Sequence, residues 1–124
     1  MIKAALFVGM GGFLGSVGRY LISHWVLKYF PGFTPSGTLA VNILGCFILG
    51  FLMHTTSKLE KEYFLLLTTG FCGGFTTFST FGVENLRLVM DHQHGTALAY
   101  MGGSLIFGLL AAGIGYYLGK TLIA

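Results

Sequence analysis

Four long apolar stretches, roughly Ile2 to Val26, Thr38 to Met53, Tyr63 to Leu86 and Ala97 to Leu118, occupy most of this 124-residue chain. Each is near the ~20 residues an α-helix needs to cross the hydrocarbon core of a bilayer. The connections between them, near Pro31-Gly32, from Ser57 to Glu62 and from Asp91 to Gly95, are short and leave nothing for a separate soluble domain. Hydrophobic residues make up 54% of the chain and charged residues 9%, with a mean hydropathy of +0.78. Such values belong to integral membrane proteins rather than soluble domains. The expectation is an all-α membrane protein: a single transmembrane domain, residues 1–124, of four helices. The apolar part of the first stretch is too long for a secretory signal and three more spans follow it, so it is expected to stay as the first helix.

Charge and motif content exclude several function classes. The formal net charge of +3 comes from seven Lys and Arg against four Asp and Glu, and these cations are dispersed. A nucleic-acid surface needs them clustered, so no nucleic-acid partner is expected. With both termini on one side, that side holds Lys3, Lys58, Lys61 and Lys120, and the other holds Lys28 and Arg87. The margin is small, which is compatible with insertion in both orientations and with an antiparallel pair. Cys46 and Cys72 fall inside spans without metal or redox spacing and read as inert buried thiols. His24, His54, His92 and His94 lie at or near span ends, which argues against a haem held across the bundle; His92 and His94 leave only a weak loop metal site open. No nucleophile elbow, zinc-protease helix or complete phosphate loop occurs, so no enzyme is expected. Much of the chain's glycine, 20 residues in all, lies inside the spans, where small residues at one-turn spacing let helix backbones approach closely.

One segment departs from ordinary membrane-helix chemistry. Residues Gly70 to Phe81 read Gly-Phe-Cys-Gly-Gly-Phe-Thr-Thr-Phe-Ser-Thr-Phe. Paired glycines weaken the helical ladder, and closely spaced hydroxyls offer backbone groups other partners, so the third span is expected to break there. Irregular backbone at membrane depth survives only where protein covers it or where it lines a wet cavity. This makes the segment the expected functional centre, with chemistry suited to ions rather than large substrates. Phe78 and Phe81 would share a helix face; such stripes usually pack, yet a phenyl ring's positive edge can also stabilise a small anion. Thr76, Thr77, Ser79 and Thr80 place hydroxyls beside those rings. Asn42, with Thr38 and Cys46 one turn to either side, is an amide that either glues helices together, the commoner use, or donates toward an anion. Arg19 lies deep in the first stretch, either snorkelling or lining an electropositive vestibule, the reading preferred here. Glu84 and Arg87, three apart, are expected to pair along their helix.

With those residues in view, the chain closely resembles the Fluc (CrcB) family of small bacterial fluoride channels over essentially its full length. The resemblance is carried by Gly70 to Phe81, by Gly15-Ser-Val-Gly-Arg19 and by Gly37-Thr-Leu-Ala-Val-Asn-Ile-Leu-Gly45. It implies a dual-topology homodimer of antiparallel subunits in the cell's inner (plasma) membrane, a broken third helix in each, and two separate pathways for passive fluoride export. It also implies site residues: Asn42 as a fluoride hydrogen-bond donor, Phe78 and Phe81 as ring edges, and Ser79, Thr80, Ser104 and Tyr100 along the path, with Arg19 as the first-helix arginine. A central structural sodium ion would be held by the backbone carbonyls of Gly73 and Thr76 from both subunits. One departure concerns Gly108, one turn beyond Ser104, which supplies no hydroxyl. Two competing readings are a small dual-topology multidrug cation/proton antiporter, for which Glu84 is the only carboxylate available, and a packing subunit without transport.

Overall fold

The computed structural model describes residues 1–123, and among these no β-strand occurs. Helix α1 spans Ile2–Tyr29 and α2 spans Ser36–Leu52, followed by a single 3₁₀ turn, Met53–Thr55. The third membrane span, Lys61–Met90, is composite. It comprises α3 (Lys61–Leu65), a π-helical segment (Leu66–Cys72), α4 (Gly73–Phe75) and α5 (Phe78–Met90). The last helix, α6, spans His94–Leu122. Four helical stretches are thus long and apolar enough to cross a membrane.

Local chemistry sets the ends of these elements. Phe30 leaves helical geometry at φ −129°, ψ 64°, as a residue preceding proline tends to do, and Pro31 follows. Pro35 starts α2: its ring suits a helix entrance, where no N–H is needed, and its carbonyl accepts the Leu39 N–H at 2.9 Å. The turn from α5 to α6 closes with the Gln93 N–H donating to the Leu88 carbonyl at 2.8 Å, with His92 in the left-handed region at φ 59°. All four spans overrun the apolar stretches by a few residues at one end or both. Helical hydrogen bonding does not stop where hydropathy falls, and Lys28 and Tyr29 continue α1 with side chains suited to the headgroup level.

The interior is built from small residues and close backbones. Helix α1 packs along the π-helical segment and α4, while α2 packs along α6. A Cβ on Gly11 would collide with the Leu66 carbonyl, and one on Gly15 with the Phe71 carbonyl. From the other side, a Cβ on Gly74 would come within 2.6 Å of the Gly12 carbonyl. Gly50 and Gly115 allow the same approach between α2 and α6, against Ala112 and Phe47. Among the described residues, Val41 and Phe75 are the largest side chains wholly enclosed, whereas Phe13, Leu21, Leu105 and Leu122 face outward. That distribution suits a protein solvated by lipid, where packing rather than hydrophobic burial drives helix association.

Candidate functional site

The site grows from Thr76 and Thr77, which lie between α4 and α5 in extended geometry, at φ −90°, ψ 158° and φ −147°, ψ 122°. Backbone groups released there must find other partners, because unpaired ones at this depth cost several kcal/mol, of order ~2–7 each. The Asn42 amide meets Thr77 on both sides: its Nδ2 donates to the Thr77 carbonyl at 3.0 Å, and its Oδ1 accepts the Thr77 N–H at 2.8 Å. Arg19 donates from Nε to the Gly74 carbonyl at 3.0 Å. The Thr76 N–H and hydroxyl both donate to the Cys72 carbonyl, at 3.0 and 2.9 Å. Thr77 then starts α5, its hydroxyl oxygen accepting the Thr80 N–H at 3.3 Å. Since the Thr77 N–H is turned to Asn42, the Gly73 carbonyl is released from its usual helical donor.

Two cavities flank this point, and Thr77 borders both. The larger, about 720 Å³, is lined by residues including Asn42, Cys46, Thr76, Phe78, Phe81 and Ser104, and among the described residues no charged side chain lines it. The Phe78 and Phe81 rings lie 5.8 Å apart, and Phe81 meets Tyr100 edge-on at 5.1 Å. Phe78 is 82% exposed. The Ser104 hydroxyl oxygen is buried and has no hydrogen-bond partner. The smaller cavity, about 300 Å³, is lined by Arg19, Thr38, Thr80 and Glu84 among others. There both Glu84 carboxylate oxygens are engaged: Thr38 donates to one at 3.0 Å and Tyr100 to the other at 2.9 Å.

The structure therefore sorts the residues singled out from sequence. Asn42, Gly73, Thr76, Phe78, Phe81 and Ser104 share the large cavity; Arg19 and Thr80 border the small one. Tyr100 reaches the site through Phe81 and Glu84. Ser79 borders neither cavity, its hydroxyl lying 3.4 Å from that of Thr77. The expected Glu84–Arg87 pair is replaced. Both Glu84 oxygens turn inward to hydroxyl donors on α2 and α6, while Arg87 is exposed. Local spacing on α5 could not reveal partners 46 and 16 residues away. The signal available was that Thr38 lies one turn before Asn42 on the same helix face. The His92 and His94 rings lie 6.2 Å apart, and among the described residues no group of three His, Cys, Asp or Glu could hold a metal ion.

These features define a multi-pass membrane protein with a largely apolar cavity, carrying a few uncharged polar groups, at an irregular stretch of its third span. The chain belongs to the CrcB family: residues 6–116 match the family model described as "CrcB-like protein, Camphor Resistance (CrcB)". It is 47% identical over 118 residues to "Fluoride-specific ion channel FluC" of Chlorobium chlorochromatii, covering 91% of each chain. A protein of the same name from Chlorobaculum tepidum is 47% identical over 123 residues, covering 97% of each chain. A third, from Acidobacterium capsulatum, is 38% identical over 122 residues, covering 96% of this chain and 98% of the relative.

Proposed function

We propose that this protein is a fluoride-selective channel, not an enzyme, that exports fluoride passively across the cell's inner membrane. The observation that carries the reading is the large cavity, where the Asn42 amide, the Ser104 hydroxyl and the Phe78 and Phe81 rings meet with no charged side chain. Fluoride is compact and strongly hydrated, so a selective path must replace its water with several close donors. Amide, hydroxyl and ring-edge donors do this without a fixed cation that would hold the ion too firmly. Asn42 keeps one N–H beyond the one given to Thr77, and the buried Ser104 hydroxyl has no protein partner to give up. Arg19, beside the small cavity with Thr80, supplies positive potential at an entrance. Ser79 and Tyr100 support the path through Thr77 and through Phe81 and Glu84. The names carried by relatives of up to 47% identity support the same reading. They lend none to the cation/proton antiporter, whose single available carboxylate is already held by Thr38 and Tyr100.

Export needs no ATP or coupled proton. An inside-negative potential of ~100 mV contributes about 2.3 kcal/mol per charge, enough for a roughly 50-fold outward gradient of a monovalent anion.

The working unit is an antiparallel homodimer with two pathways. The 82% exposure of Phe78 supports this, as does a cavity open on one side in the single chain, because a second copy would cover both. The weak bias of Lys and Arg between the two sides supports insertion in both orientations. Gly73 and Thr76 fit a sodium ion: they offer carbonyl oxygens, the ligands hard cations take, and a Cβ on Gly73 would meet no atom within 4 Å. Two carbonyls are too few for such a cation, so a matching pair from the second subunit would complete the site. Sodium bound there supplies positive potential beside the pathways and satisfies carbonyls released by the interruption. The break in the third span is thus read as functional. The test is Phe78→Ile in reconstituted dimers: fluoride efflux should fall at least tenfold with assembly intact, an effect of about 1.4 kcal/mol or more. Unchanged efflux would remove the rings from the pathway.

A further inference from the structure

The face of α2 that presents Asn42 continues one turn on to Cys46, and both line the large cavity with Ser104. Opposite them, α6 presents Ser104 and then, one turn on, Gly108, which has no side chain to offer. The Cys46 sulfur lies 3.5 Å from the point a Cβ on Gly108 would occupy. The thiol therefore stands where α6 leaves its gap. It is free and half-buried, unlike Cys72, which is 2% exposed. Next to it in the same lining, the Ser104 hydroxyl oxygen is enclosed and has no hydrogen-bond partner among the described residues.

We infer that Cys46 is a further ion-contacting residue of the fluoride path, its S–H following Asn42 and Ser104 as the donor at the level of Gly108. The inference rests on the fluoride-channel reading. A thiol is a weak donor on a bulky, polarisable atom. One turn beyond Asn42, that combination narrows the passage and still releases the ion, where a stronger donor would hold it longer.

Fluoride efflux from proteoliposomes tests this with substitutions of nearly equal size. Cys46→Ala should slow efflux about tenfold, and Cys46→Ser should keep it within about twofold of the parent, because only the alanine lacks a donor. Adding Gly108→Ser to the Cys46→Ala protein returns a hydroxyl to the same space and should restore most of the rate. An alanine variant as fast as the parent, or a serine variant as slow as the alanine, would overturn the donor role.

A second arm starts from folded wild-type protein and so is free of folding defects. Methyl methanethiosulfonate attacked by the Cys46 thiolate forms a new S–S bond to its thiomethyl sulfur. The reagent's own S–S bond breaks, methanesulfinate leaves, and the thiol proton passes to water. Modified wild type should lose at least tenfold in efflux, while Cys46→Ser, which keeps Cys72, should be insensitive. A Cys46 that resists the reagent, or one fully modified with efflux unchanged, would contradict the proposal. A parent that passes no fluoride would instead sink the channel reading itself.

Discussion

At the scale of single residues, the site is organised by side chains that serve the backbone and the cavity together. Asn42 binds both polar groups of Thr77, so it is an interhelical glue, and its second N–H makes no hydrogen bond among the described residues. Asn42→Asp places an oxygen against the Thr77 carbonyl and a negative charge beside an anion path. The expected outcome is a loss of fluoride efflux of at least about tenfold, together with about 1–3 kcal/mol of stability, read by efflux and thermal unfolding in detergent. Efflux equal to wild type would show that the amide donor is dispensable. The sequence made Asn42 conspicuous as an amide in an apolar run, with both of its uses open. It could not show that the partner is a main-chain unit 35 residues away. Glu84 misled for a related reason: the visible neighbour, Arg87, is three residues on, whereas its hydroxyl partners arrive from α2 and α6.

Among the elements, the third span carries the unusual geometry and α1 holds it in place. Thr76 and Thr77 leave the helix where glycines precede them and hydroxyls follow, and the Arg19 guanidinium takes up the Gly74 carbonyl. The π-helical segment before them was not legible in the sequence, because no residue type encodes its wider turn. What fixes it is the line of glycine contacts with α1, in which carbonyls of Leu66 and Phe71 press against Gly11 and Gly15. The four spans themselves were legible because hydropathy over ~20 residues is a strong signal. Their ends were not, since interfacial residues such as Lys28 and Tyr29 continue the helix. Gly15→Ala should destabilise the protein by about 1–3 kcal/mol and shift the interruption. Gly9→Ala, with no atom within 4 Å of the new Cβ, should be neutral or stabilise by up to about 1 kcal/mol. Thermal unfolding of the two variants in detergent separates them, and equal behaviour would deny the glycine contacts their role.

For the molecule as a whole, the proposed working unit is a pair of chains. In one chain the large cavity is open on one side, Phe78 is exposed, and the carbonyls proposed for sodium are too few for a complete shell. Two chains should therefore elute together in detergent, with one sodium ion retained per pair by elemental analysis after desalting. A monomer, or a dimer retaining no sodium, would contradict that assembly. The central claim is that unionised donors at an irregular turn of a membrane span strip water from fluoride and let it pass. Its most direct test is anion efflux from proteoliposomes loaded with equal fluoride and chloride and held without a proton gradient. The account predicts rapid fluoride loss with chloride retained, and fluoride loss no faster than from protein-free vesicles would contradict it.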